Sequence, residues 1–188
     1  SQAGAAGTAD QETRALLAGR ELKAARPGLL YMPYSFFSTS QNWYRAQAPF
    51  NTNQHADLWL RDAAGRPLNG TGGRPGVLGP GLPSQGVGCE GHLYDFSQPA
   101  AREFFLGTIG WCLSSSTCDS LIFDEVTWLL APMTIGDNNR SIYGALSPEK
   151  HRAYYEGTLT AVAMTSDAML AKGKLPIYST QAHLGLYP

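Results

Sequence analysis

Runs of apolar residues, bounded by glycine, proline or polar residues, mark the predicted strands of this chain. The segments LLYMPYSFF, SLIFDEV and LPIYSTQ predict strands at 29–37, 120–126 and 175–181, and HLYDF predicts a short strand at 92–96. The segment 56–68 is typical of two short strands about a glycine-containing turn. Near-continuous apolar character is typical of strands that are covered on both faces, which favours a parallel sheet.

Segments with helical spacing of apolar or capping residues lie between these strands. We expect one helix at 9–25, a second that is capped by Ser97 and stops at the serine-rich run 114–117, and a third at 147–172. The third begins with Ser-Pro-Glu, which supplies a cap, a proline at the first helical position and an acid in the first turn.

The alternation of helices and strands predicts an α/β fold with a parallel sheet. A doubly wound sheet would need a tight glycine-rich turn between a strand and a helix, and no strand end here has one. A (β/α)8 TIM-barrel-like fold suits the long loops after the strands, but such a barrel needs about 250 residues. The chain has 188 residues and three or four clear strands. We therefore expect one domain, 1–188, that holds only part of a barrel, with further chains or the rest of a longer polypeptide completing it.

Composition narrows the classes of function. Charged residues make up 15% of the chain and the net charge is -1, which argues against a broad nucleic-acid-binding surface. No apolar run is long enough to span a membrane. Ten glycines and four prolines fall within 65–91, which we interpret as a long loop insertion.

The cysteines and two sequons bear on localisation. Cys112 and Cys118, six residues apart, have the spacing of a small disulfide loop, although three pairings of the three cysteines are open. Asn69 and Asn139 begin Asn-X-Ser/Thr sequons in predicted loops. The two sequons favour a secreted or extracellular glycoprotein.

Four stretches of the sequence together resemble a known family. The segments LLYMPYSFF, ADLWLRDAAGRPL, LYDFSQPAAREFF and CDSLIFDEV, within 29–130, are similar to a group of TIM-barrel proteins classed as glycoside hydrolases. That group shows a W-L-x-x-x-x-G-x-P element, here 59–67, and a Y-D-hydrophobic-[ST]-x-P-x-x-R element, here 94–102. Asp119-Ser120 departs from the more usual Asp-Gly, and the 65–91 insertion is unusually long. The resemblance implies a carbohydrate as the partner and catalytic carboxylates at strand ends.

Asp124 and Glu125 are the candidate catalytic residues, because they stand where the apolar run SLIF ends. Catalytic groups of barrels lie at the C-terminal ends of strands, and glycoside hydrolysis commonly uses two carboxyl groups. Side chains alternate along a strand, so Asp124 would share a side with Ile122. The resemblance makes Asp124 the nucleophile or base, while Glu125 orients a neighbour or reaches the site from the loop. The alternative is that both acids cap a turn or form salt bridges.

Candidate substrate-binding residues are aromatic or polar side chains near the strand ends. Tyr34 and Trp128 have rings on which the apolar faces of sugars could stack, although Trp side chains more often pack in cores. Asp95 lines the site or, as we favour, caps the helix that follows it or has another local structural role. Gln181 follows the last strand and offers hydrogen bonds to hydroxyl groups.

Three functions remain open at this stage. The first is a glycoside hydrolase, retaining or inverting, that acts on a poly- or oligosaccharide. The second is a non-catalytic module with a glycan-binding or structural role in an extracellular assembly. The third is an unrelated barrel enzyme, such as a lyase or isomerase. The sequence predicts no metal or other cofactor, because the four histidines form no i, i+4 pair and no phosphate loop is present. The absence of a G-x-S-x-G elbow argues against a serine hydrolase.

Overall fold

A computed structural model of the chain describes residues 10–41, 44–68, 91–124, 126 and 146–179. The described strands are β1 (Tyr34–Phe36), β2 (Ser120–Asp124) and β3 (Leu175–Tyr178). The described α-helices are α1 (Gln11–Ala25), α2 (Pro99–Thr108), α3 (Gly110–Leu113) and α4 (Pro148–Leu170). Two short 3-10 helices, Ala48–Asn51 and Asn53–Leu58, lie between β1 and α2.

The three strands form a parallel sheet in the order β1-β2-β3. Chain segments that contain α2 and α3 connect β1 to β2, and a segment that contains α4 connects β2 to β3. These helices cover one face of the sheet. The ring of Phe105 on α2 lies 6.3 Å from that of Phe123 on β2, and the hydroxyl of Tyr178 on β3 donates to Val162 O on α4 at 3.0 Å.

The predicted (β/α)8 TIM-barrel-like fold is wrong. The sheet in the described part of the chain has three strands and two edges, which is too small for an eight-stranded barrel. The predicted strands at 56–68 and 92–96 do not join it. They contain a 3-10 helix and isolated antiparallel bridges, such as Trp59 with Tyr94 and Arg61 with Pro67. We had expected other chains or the rest of a longer polypeptide to complete the barrel. Without a barrel, that expectation has no basis.

The hydrophobic core lies between the sheet and the helices and is rich in aromatic rings. Phe37, directly after β1, packs its ring 4.7 Å from Phe105 and 5.8 Å from Phe123. The ring of Phe96 lies 5.3 Å from that of Phe37, and all four side chains are fully buried. Because tilted and edge-to-face aromatic pairs prefer defined geometries, these contacts fix how α2 sits on the sheet.

The helix ends follow local rules in α1 and α4 but not in α2. Ser147 caps α4 by accepting from Lys150 N at 3.2 Å, as its sequence predicts. Asp10 caps α1 by accepting from Thr13 N at 2.8 Å. At α2 the N-cap is Gln98 without a side-chain cap, so the predicted cap by Ser97 is wrong.

A disulfide joins Cys112 in α3 to Cys118, with their Cα atoms 5.4 Å apart. It closes the turn between α3 and β2. Both cysteines are fully buried, so the bond ties the end of the helix to the start of the central strand.

Candidate functional site

Asp124 is the last residue of the central strand. It pairs with Phe36 in the register between β1 and β2. Leu121 and Phe123 point into the core, so alternation along β2 places Asp124 with Ile122 on the other face of the sheet. The carboxylate therefore stands at the C-terminal end of a parallel sheet, where ligands of α/β proteins commonly bind.

The carboxylate of Asp124 is oriented by Tyr34. The Tyr34 hydroxyl donates a hydrogen bond to Asp124 Oδ2. The other oxygen, Asp124 Oδ1, is shielded from solvent and accepts no hydrogen bond within the described residues. A carboxylate oxygen that lacks a donor in a shielded position is costly, and a hydroxyl group that donated to it would remove that cost.

Around this pair lies a second sheet face that the described helices do not cover. Leu175, Tyr34 and Ile177 are 59%, 41% and 37% exposed. Phe36, Ile122 and Asp124 are half-buried. We call these six residues the exposed face. Parallel sheets are usually covered on both faces, so an apolar face that meets solvent is a candidate for binding.

Two aromatic rings lie beside the carboxylate. The ring of Tyr34 is 5.1 Å from that of Phe36, and the two planes are nearly perpendicular, at 87°. Both rings lie next to one hydrogen-bond acceptor, the Asp124 carboxylate. This combination suits a ligand that has both apolar faces and hydroxyl groups.

Tyr44 supports Tyr34 from the protein interior. Its hydroxyl donates to Tyr34 O at 2.6 Å, and burial, followed by the nearby Glu12 carboxylate, raises the pKa of the Tyr44 hydroxyl. Glu12 accepts from Arg45 N at 2.8 Å and from Ala46 N at 2.7 Å, which holds the Tyr44 loop against α1. Sequence reasoning missed Tyr44, because nothing in the local pattern links it to β1.

Asp95 has a structural environment. It is 3% exposed, forms an ion pair with Lys150 at the start of α4, and accepts hydrogen bonds from the side chains of Ser97 at 2.5 Å and Gln98 at 2.9 Å. With its acceptors engaged by protein donors, the carboxylate joins the starts of α2 and α4. This geometry favours a local structural role for Asp95 over substrate binding, although Asp95 does not cap α2.

Trp59 packs in the core. Its indole nitrogen donates to Phe50 O at 2.7 Å, and its ring stacks on His92 at 3.5 Å. Burial and, to a lesser degree, the Arg61 guanidinium hold the pKa of His92 below its usual range. Trp59 is 7% exposed, so it offers little surface for a sugar.

Several candidate residues lie outside the described ranges. These are the second acid, two residues expected to bind substrate and the two sequon asparagines: Glu125, Trp128, Gln181, Asn69 and Asn139.

The described ranges contain no cluster of three or more His, Cys, Asp or Glu side chains that could hold a metal ion. Of the helices described, none has the length and hydropathy needed to cross a bilayer.

A scan against models of known protein families found no match, and a search of curated proteins found no relative.

Proposed function

We propose that the protein is a glycoside hydrolase that acts on a poly- or oligosaccharide, with Asp124 as the reacting carboxylate. The observation that carries the proposal is the partly buried carboxylate of Asp124, held by the Tyr34 hydroxyl beside two aromatic rings at the C-terminal end of the sheet. The resemblance of 29–130 to sequences of glycoside hydrolases supports the same function.

Asp124 can serve in either of two reaction courses. As a nucleophile it forms an ester with the anomeric carbon while the leaving oxygen takes a proton from a second carboxyl group, and water then hydrolyses that ester. As a base it takes a proton from the water that attacks the anomeric carbon. Both courses need a carboxylate in a fixed orientation, which the Tyr34 hydrogen bond supplies.

The second carboxyl group has one candidate from the sequence. Asp95 is buried and ion-paired with Lys150, so it is not placed to protonate a leaving oxygen. Glu125, the next residue after Asp124, is the candidate for that proton donor.

The test is turnover of a panel of poly- and oligosaccharides by the wild-type protein and Asp124→Asn, with release of reducing ends as the readout. Asp167→Asn, at an exposed position on α4, is the matched control. Turnover that is lost only in Asp124→Asn supports the proposal. Equal turnover by the wild type and Asp124→Asn contradicts it.

A non-catalytic glycan-binding module is the second candidate. It is favoured by the ion pair between Asp95 and Lys150, which removes Asp95 as a second acid. Asp124 is then the one carboxylate that the described strands present to the exposed face. Binding of an oligosaccharide by calorimetry, without any product after prolonged incubation, would select this alternative.

A further inference from the structure

The strand β1 is short and lies at one edge of the described sheet. It is bonded to β2 on one side, where Ile122 N donates to Pro33 O at 3.0 Å. Successive carbonyl groups of a strand point to opposite edges, so Tyr34 O faces away from β2. The hydroxyl of Tyr44 donates to this carbonyl oxygen at 2.6 Å. Tyr44 therefore holds β1 from the edge that β2 does not contact.

Glu12 on α1 holds the chain segment that carries Tyr44. Glu12 is 2% exposed, and its two carboxylate oxygens accept from Arg45 N at 2.8 Å and from Ala46 N at 2.7 Å. A carboxylate supplies an acceptor to each of these N–H groups, whereas a glutamine amide would turn its own N–H donors toward one of them. The chemistry of the Glu12 side chain, and not only its length, is therefore suited to fix the backbone next to Tyr44.

We infer that Glu12 is a positioning residue, which orients the Asp124 carboxylate without touching it. The effect passes through Tyr44, which holds the backbone of Tyr34, to the Tyr34 hydroxyl that donates to Asp124 Oδ2. A loose Tyr44 segment would leave this edge of β1 less firmly held, and the Tyr34 hydroxyl would then be less well placed. The inference rests on the proposed function where it concerns turnover, since Asp124 is the proposed reacting group, and it extends the site to α1.

The first test follows the Tyr34 hydroxyl directly and does not depend on turnover. Tyrosine that carries an NMR-active carbon isotope at Cζ, next to the hydroxyl group, gives a signal for each tyrosine, and substitution of single tyrosines by Phe assigns the signals. In Glu12→Gln the Tyr34 signal should move, because its hydrogen bond to Asp124 changes. The signal of Tyr178 on β3 should stay in place, as a sign that the sheet is intact. An unmoved Tyr34 signal overturns the inference.

The variant Tyr44→Phe separates the effect of position from the effect of charge. It removes the hydroxyl that donates to Tyr34 O but keeps the Glu12 carboxylate. The Tyr34 signal should move in this variant as well, and it decides the question if Glu12→Gln does not fold. A Tyr34 signal that moves only in Glu12→Gln would show an effect of charge alone and overturn the inference.

Glu21→Gln is the matched control, since it makes the same change at an exposed position of α1. The Tyr34 signal should stay at its wild-type position in this variant. A shift as large as that in Glu12→Gln would show that any loss of charge on α1 has the same effect, and would overturn the assignment to Glu12.

The second test is turnover of the panel of poly- and oligosaccharides. Loss of one ordinary hydrogen bond corresponds to about a two- to tenfold change in a rate constant, so Glu12→Gln should lower kcat by that factor while KM changes little. Unchanged kcat in Glu12→Gln, with a wild type that is active, overturns the inference and leaves the proposed function standing. If the wild type turns over no member of the panel, the proposed function fails, and the Tyr34 signal alone decides whether Glu12 positions Asp124.

Discussion

Tyr34, the first residue of β1, donates a hydrogen bond from its hydroxyl group to Asp124, the last residue of β2. The bond runs diagonally across the sheet, because the register pairs Asp124 with Phe36 and Tyr34 with Ile122. A tyrosine is long enough to reach from one pair to the next on the same face of a sheet. The register of two parallel strands thereby fixes the orientation of the candidate catalytic carboxylate.

Removing the Tyr34 hydroxyl should slow the reaction without unfolding the protein. Hydrogen bonds to charged groups contribute about 1.5–3 kcal/mol, so Tyr34→Phe should reduce kcat roughly ten- to a hundredfold. The ring stays in place, so KM should change little. Tyr155→Phe, at an exposed tyrosine on α4, is the control and should behave as the wild type. Unchanged kcat in Tyr34→Phe would remove the hydroxyl from the mechanism.

The ion pair between Asp95 and Lys150 should contribute to stability. Lys150→Met leaves the Asp95 carboxylate, whose side chain is 4% exposed, without its cation. Breaking a buried pair costs about 3–5 kcal/mol, but the Lys150 side chain is 34% exposed and partly screened, so we expect a loss of about 2 kcal/mol.

Urea titrations that give the free energy of unfolding measure this effect. Lys172→Met, at an exposed lysine, is the matched control. The double variant Asp95→Asn/Lys150→Met should recover part of the loss, because no buried charge is then left alone. A loss equal to that of Lys172→Met would show that the pair is only a surface contact.

Gly157 marks a close approach of α4 to the chain before α2. A Cβ atom at this position would lie 1.9 Å from Phe96 O, which is backbone and cannot give way easily. Gly157→Ala should therefore destabilise the protein by about 1–3 kcal/mol, as overpacking does. Gly107→Ala on α2 is the matched control, since nothing lies within 4 Å of its added methyl group. It should stabilise by up to about 1 kcal/mol, through the helix propensity of alanine. Equal effects in both variants would contradict the packing of α4 on Phe96.

The free energy of unfolding should fall as the solution is acidified, because of the partly buried imidazole of His92. Burial and Arg61 hold the pKa of the folded-state imidazole below the unfolded value of about 6.5. The unfolded chain therefore binds the proton first. The contribution of a neutral His92 is complete above about pH 6.5 and is lost as the pH falls through the lower folded-state pKa.

The measurement is the difference in free energy of unfolding between the wild type and His92→Gln, at pH 7.5, 6.5 and 5.5. Taking the difference cancels the titration of the other groups. The wild type should lose stability relative to His92→Gln as the pH falls. A difference that stays constant with pH would show that His92 does not contribute to the pH dependence of stability.

Local signals in the sequence predicted α1 and α4 closely. The predicted 9–25 became Gln11–Ala25, and the predicted 147–172 became Pro148–Leu170. The Ser-Pro start of α4 acts through contacts within one turn, so a single sequence is sufficient to find it. The strand β2 was found for a similar reason, since an apolar run of this length is visible without knowledge of its partners.

Non-local pairing explains the strands that were predicted wrongly. The segments 56–68 and 92–96 have strand-like residues, but they pair mainly with each other. Leu60 N donates to Leu93 O and Asp95 N donates to Leu58 O, each at 2.9 Å, and Tyr94 N donates to Ser38 O at 3.1 Å. These contacts join segments that are far apart in sequence, so the local pattern could not show that the segments stay out of the sheet.

The candidate site was predictable only in part, because it also depends on contacts between segments that are far apart in the sequence. The position of Asp124 follows from alternation along β2 alone. The hydrogen bond from Tyr34 depends on the register between β1 and β2, which are about 90 residues apart in the chain. Sequence reasoning assigned Tyr34 to sugar stacking and did not anticipate that its hydroxyl holds the carboxylate.

Azide rescue of an Asp124→Ala variant, with an activated aryl glycoside as substrate, is the most direct measurement of the reacting carboxylate. If Asp124 reacts at or near the anomeric carbon, turnover should fall by at least about a thousandfold, equivalent to about 4 kcal/mol of transition-state stabilisation. Azide, which fits the space left by the carboxylate, should restore the rate by attacking the anomeric carbon, releasing the aryl alcohol and forming a glycosyl azide. Wild-type turnover by Asp124→Ala, without any need for azide, would contradict the assignment of Asp124 as the reacting group.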